Sequence, residues 1–211
     1  MPSDLSYQSR YNCAVCPTRC DGRSKVAYIF EDDVALSEKV EDQVVDYLGR
    51  SLGIAARKTP PQAHGLPDLE IVRDNCVLGR VEIKAQNRTF MSVKKLLPDG
   101  NLRPYETVAL NLSDLERYLD LFRREAKPIF IVWWLRRPCI GEDFWGHKLD
   151  VLGDLLRQYG ARRRFRRAST QSDVVNGVHK GVTVNYHFSL QELLPLDDLA
   201  PLIATVWSAK R

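Results

Sequence analysis

In residues 79–86 (GRVEIKAQ) apolar and polar side chains alternate, with Val81, Ile83 and Ala85 in one phase and Glu82, Lys84 and Gln86 in the other. Side chains two apart share a face of an extended strand, so a carboxylate, an amine and an amide stand in one row. A second alternating stretch, residues 68–73 (DLEIVR), carries Leu69 and Ile71 on one face, and the turn-forming pair Asp74-Asn75 follows it. Folded as a hairpin, the two stretches bring Asp68 and Glu70 to the polar side of Glu82 and Lys84. Gathered carboxylates repel one another, and a cation relieves the repulsion. Oxygen-only, carboxylate-led coordination suits Mg²⁺ or Mn²⁺. Such an ion acidifies a bound water, shields a charged substrate from the nucleophile and stabilises the departing oxygen. Lys84 beside that water orients it or neutralises charge in the transition state. The plainer alternative is an exposed hairpin whose Glu82 and Lys84 only solvate its outer face.

Other elements must hold this row in place. Val40, Val44, Tyr47, Leu48 and Leu52 recur at helical spacing, which predicts a helix over residues 37–52, with Ser37 as cap and Gly53 as stop. Residues 26–30 (VAYIF) predict a short strand, and residues 106–110 another. Ser113-Asp114-Leu115-Glu116 has the pattern of a capping box ahead of Leu119 and Phe122. After Pro128, residues 129–135 (IFIVWWL) form a nearly continuous apolar run, as in a strand covered on both faces, so Trp133 and Trp134 read as core. A helix over residues 149–159, a strand over 181–190 and a terminal helix over 196–208 complete an α/β chain with a mixed sheet flanked by helices.

Pro67-Asp68, then thirteen residues, then Glu82-Ile83-Lys84 resembles the signature of the PD-(D/E)XK nuclease superfamily. The resemblance spans roughly residues 37–145 and implies a restriction-endonuclease-like αβββαβ core, with the motif on its second and third strands. It implies a metal-dependent nuclease acting on phosphodiester bonds of DNA. Asp68 and Glu82 would be the metal ligands, Lys84 would assist the water, and Gln86 would support the geometry or touch DNA. A further acidic residue is implied on the first helix. By position it is Glu41, with Glu38 one turn earlier as the alternative.

Cys13, Cys16 and Cys20 have the close spacing of thiolate ligands to zinc or an iron–sulfur cluster, with Cys76, Cys139, His64 or His147 as candidate fourth ligands. Three free thiols in an extension explain the same residues equally well. Arg162, Arg163, Arg164, Arg166 and Arg167, with Phe165 among them, suit contact with a nucleic-acid backbone and one stacked base. Net charge is only +4, and without those five arginines the rest of the chain turns slightly negative, so the basicity is local.

With 211 residues, 44% hydrophobic and 27% charged, the chain is long enough to bury a core without disulfides, and no apolar run approaches a membrane span. The expected organisation is a cysteine-bearing extension over residues 1–30, a nuclease-like core over 31–160, and a basic segment with terminal strand and helix over 161–211. Five cysteines without a disulfide framework suggest a reducing compartment, hence a cytoplasmic protein. The expected partner is DNA, with RNA left open, and no membrane. A homodimer is one way to cut both strands, since one site cuts one. The competing expectation is a nucleic-acid-binding protein with a cysteine-ligated cluster and an inactive nuclease-like core.

Overall fold

The computed structural model describes residues 30–86, 89–137, 141–166, 174–175, 178–179 and 182–208. Helix α1 (Phe30–Leu52) buries Val40, Val44 and Leu48, the four-residue spacing that predicted it. It begins before the expected Ser37 cap, so Ser37 is an interior helix residue and Phe30 is helical rather than the end of a strand. Periodicity marks where a helix becomes buried, which need not be where it starts. Residues 26–29 of that expected strand lie outside the described residues.

Three strands follow: β1 (Ala56–Lys58), β2 (Leu69–Arg73) and β3 (Cys76–Ala85). The predicted hairpin is β2 with β3, antiparallel, with Leu69 opposite Val81. Asp74 and Asn75 both have positive φ, 51° and 60°. Two left-handed residues make the turn that matches strand twist, and Asp and Asn enter that region at low cost. Strand β1 escaped prediction because three residues, mostly polar, carry no readable period.

A short helix α2 (Val93–Leu96) leads to strand β4 (Thr107–Asn111) and helix α3 (Leu112–Glu125). The expected capping box is absent. Asn111 occupies the cap position without a side-chain cap bond, and Ser113 already lies within the helix. Strand β5 (Ile129–Arg137) is parallel to β3, and strand β6 (Gly141–Lys148) is antiparallel to β5. Helix α4 (Leu149–Tyr159) has its predicted bounds. Strands β7 (Arg164–Arg166), β8 (Val174–Val175), β9 (Val178–His179), β10 (Val184–Ser189) and β11 (Leu194–Pro195) precede helix α5 (Leu196–Ser208), again as predicted.

The main sheet has the order β1-β2-β3-β5-β6-β11 and is mixed, since among the described strands β3 and β5 run parallel and the other neighbours antiparallel. Helix, three strands, helix, strand is therefore the order of α1, β1, β2, β3, α3 and β5. The strand expected near residue 106 belongs elsewhere: β4 joins β10 and β7 in a second sheet. Along β5, Ile129, Ile131, Trp133 and Leu135 pack with α3, α4, β4 and β10, while Phe130, Val132 and Trp134 pack with α1 and α5. Both tryptophans are core. Val81 and Ile83 join the α1 side, so Glu82 and Lys84 face the opposite layer, roofed by α3. The polar row of β3 is thus an internal face, not the solvent-exposed face of a bare hairpin.

Candidate active site

Asp68 stands one residue before β2, which by the Leu69–Val81 register puts it across from Glu82. Its Oδ2 accepts the backbone N–H of Ile83 at 2.7 Å, so strand pairing itself fixes the carboxylate. Glu82 is 1% exposed. Its Oε2 accepts from the Tyr118 hydroxyl at 2.7 Å, and its Oε1 pairs with the Lys84 ammonium. Lys84 Nζ also lies 4.0 Å from Asp114 Oδ2.

Burial sets the electrostatics. It pushes Glu82 up to about 7, against the Lys84 charge and with help from Asp68. Asp68 is also raised, first by burial and further by the charge of Glu41, while the Ile83 amide and Lys84 pull the other way. Burial works to lower Lys84, yet Glu82, Asp68 and Asp114 together leave it above its ordinary value. The Tyr118 hydroxyl is held protonated by burial and by the carboxylate it serves.

The remaining expected residues are placed unevenly. Glu41, on α1, is 3.4 Å from Lys58 Nζ and close enough for its charge to act on Asp68. Glu38, one turn earlier, accepts from Lys58 through its carbonyl. Gln86 Oε1 accepts the Ala109 N–H at 2.9 Å, fastening the end of β3 to β4. Glu70 turns to Arg57, 2.9 Å away, and leaves the carboxylate group. A cleft of about 730 Å³ opens beside Asp68, walled by Glu38, Glu41, Lys58 and the loop carrying His64.

Three further residues complete this site, Asp114, Arg117 and Tyr118, all on α3, of which the sequence marks Asp114 alone, and as a helix-start residue. Their i, i+3, i+4 spacing put polar groups on one helix face, which was the available signal. Arg117 Nη2 donates to Asp114 Oδ1 at 2.8 Å, and its Nε donates to the Gly65 carbonyl at 2.9 Å.

The chemistry of the donors fits a hard divalent cation. Asp68 and Glu82 face one another with raised proton affinity, and among the described residues the positive charge touching Glu82 is the Lys84 ammonium. Among the described residues no three Asp, Glu, His or Cys side chains converge tightly, so two carboxylates with water is the site these residues offer.

The arginine segment divides. Arg162, Arg164 and Arg166 are exposed. Arg163 is fully buried, bound to Glu192 by both terminal nitrogens at 2.5 and 2.7 Å and to the Gly100 carbonyl through Nε at 2.7 Å. It is a structural cation with no face left for a phosphate. Phe165 packs against Phe90, ring centroids 5.3 Å apart, in a small core rather than presenting a stacking surface. Arg167, Cys13, Cys16, Cys20 and Cys139 lie outside the described residues. Of the other candidate cluster ligands, Cys76 is exposed, His64 lines the cleft, and His147 Nδ1 accepts the Lys148 N–H.

No family model matches the sequence, and no curated protein matches it either. Among solved structures, the chain is similar to a nuclease from a fusselovirus, with 12% identity, a TM-score of 0.48, and 88% of this chain and 98% of that one covered. It is also similar to a Holliday junction resolvase from Archaeoglobus fulgidus, with 11% identity, a TM-score of 0.41, and 79% and 96% covered.

Proposed function

We propose that the chain is a metal-dependent nuclease of PD-(D/E)XK type that hydrolyses phosphodiester bonds of DNA. One observation carries the reading: Asp68, Glu82 and Lys84 project from adjoining strands into one group beside an open cleft, with both carboxylates raised by burial. Titratable groups whose proton affinity is shifted by burial and a specific charge partner beside a cleft are candidates for a reactive site.

Asp68 and Glu82 would hold Mg²⁺ or Mn²⁺, with Glu41 at the rim. When bound, the ion supplies an acidified water and a counter-charge for the phosphate. The Ile83 amide keeps Asp68 aimed at the group, and the Tyr118 hydroxyl keeps Glu82 from turning. Lys84 stands where an ammonium can orient the water and offset charge as it builds. Exposed Arg162, Arg164 and Arg166 supply phosphate contacts, which position a strand without selecting its sequence. A cytoplasmic setting and a homodimer for paired cuts belong to the same reading.

The test is incubation of purified protein with linear, circular, single-stranded and branched DNA, and with RNA, in Mg²⁺, Mn²⁺ or chelator. DNA cleavage that requires metal is expected, and Asp68→Ala and Lys84→Ala should abolish it with the fold intact. Undiminished metal-dependent cleavage by both variants would overturn the assignment.

A further inference from the structure

The side chains around Glu82 close into a ring. Glu82 Oε1 meets Lys84, Lys84 lies 4.0 Å from Asp114, Asp114 takes Arg117 at 2.8 Å, Arg117 Nη2 lies 3.5 Å from the Tyr118 hydroxyl, and Tyr118 returns to Glu82 at 2.7 Å. Two members come from β3 and three from the first turns of α3. Arg117 also bonds outward from the ring. Its Nε donates to the carbonyl of Gly65, in the loop that walls the cleft.

That loop, residues 59–67, is closed at its base, where Thr59 N–H donates to the Asp68 carbonyl at 2.8 Å and the Thr59 hydroxyl to the Pro67 carbonyl at 2.5 Å. Its far side is held, among the described residues, by the short local turns Ala63 to Pro60 and Leu66 to Ala63 and by Arg117. Gly65 has φ of +82°, and a Cβ there would stand 3.3 Å from Arg117 Cδ, so the backbone is shaped to receive this side chain. The guanidinium carbon also sits 5.0 Å over the Tyr118 ring. The planar fork lets one side chain hold a loop carbonyl, a carboxylate and a ring at once, which a lysine ammonium cannot do.

We infer that Arg117 is a positioning residue, joining the cleft wall that carries His64 to the Tyr118–Glu82 pair so that the substrate-facing loop and the reactive carboxylate keep one relative placement. The inference rests on the nuclease reading for what the cleft holds. Arg117 acts through Gly65 and Tyr118 and need not touch substrate itself. Its side chain is 43% exposed, so removal of the fork leaves the core untouched.

The experiment uses the full chain with Arg117→Met, Arg117→Lys, Tyr118→Phe and the Met/Phe double variant. Cleavage kinetics and amide hydrogen exchange of residues 62–66 are the readouts. In Arg117→Met, kcat should fall by about tenfold, KM should rise, and loop amides should exchange about tenfold faster. Arg117→Lys should not rescue, and the double variant should lose no more kcat than Tyr118→Phe alone, because the two act on one carboxylate. Wild-type rates in Arg117→Lys would reduce Arg117 to a steering charge, and losses that multiply would separate it from Tyr118. Either result overturns the inference, as does unchanged loop exchange. If the wild-type chain cuts nothing, the nuclease reading falls, while loop exchange still decides whether Arg117 is the tether.

Discussion

The hydroxyl of Tyr118 donates to Oε2 of Glu82 at 2.7 Å, joining α3 to the third strand of the main sheet at a carboxylate that is 1% exposed. Removing that donor leaves a buried oxygen without its partner. Tyr118→Phe should therefore cost about 1–3 kcal/mol of unfolding free energy at pH 8, read from urea denaturation. The penalty should shrink at pH 5.5, where Glu82 is protonated and no longer demands a donor. An equal penalty at both values would show that the hydroxyl serves packing alone.

Glu82, raised to about 7, makes the proton a competitor of the metal. Its folded-state affinity for protons exceeds the unfolded one between its ordinary value of 4.5 and about 7, so this group makes the metal-free protein less stable as pH rises through that window. A bound cation reverses the effect. Added Mn²⁺ should raise the melting temperature more at pH 8 than at pH 6. Cleavage in Mg²⁺ should weaken below about pH 7, and more metal should move that limb to lower pH. Glu82→Gln should weaken the pH dependence of the Mn²⁺ shift, leaving what Asp68 contributes.

The arginines of the basic segment should separate by experiment as they do by burial. Arg163→Ala leaves Glu192 facing a buried vacancy and should destabilise by about 3–5 kcal/mol in thermal or urea unfolding. Arg164→Ala and Arg166→Ala should leave unfolding nearly unchanged. Each should weaken DNA binding and flatten its dependence on salt by about one unit of slope, measured by anisotropy titration.

Glycine substitution offers a check on how the main sheet meets α5. A Cβ at Gly146 would collide with the Ile131 carbonyl and with Leu199, so Gly146→Ala should destabilise by about 1–3 kcal/mol or prevent folding. Gly49, in α1, has nothing within 4 Å of such a Cβ, and Gly49→Ala should stabilise by about 0.5–1 kcal/mol. Equal melting temperatures for the two variants would contradict the packing of β6 beneath α5.

What could be read beforehand followed from how local each signal is. The hairpin was legible because period-two alternation flanks a two-residue turn, and α4 and α5 because apolar spacing ends sharply at Gly160 and begins at Leu196. The burial of Glu82 was not legible, since alternation reports two faces without saying that α3 will cover the polar one. Nor was the split of Arg163 from its neighbours. Its partner Glu192 lies far along the chain, and nothing local distinguishes a core guanidinium from a solvated one. Asp114 was legible as a helix-start residue, but the same carboxylate turns instead toward Lys84 and Arg117.

Among the described strands of the main sheet the parallel neighbours are β3 and β5, separated in the chain by α2, β4 and α3. Parallel pairing requires a crossover, and here the crossover contains α3, whose Tyr118 bonds Glu82, so one connection both pairs the strand and covers its polar face. A chain ending before β5 would lack the strand that pairs with β3 in parallel, so the face bearing Glu82 and Lys84 is completed by a segment well downstream of the hairpin.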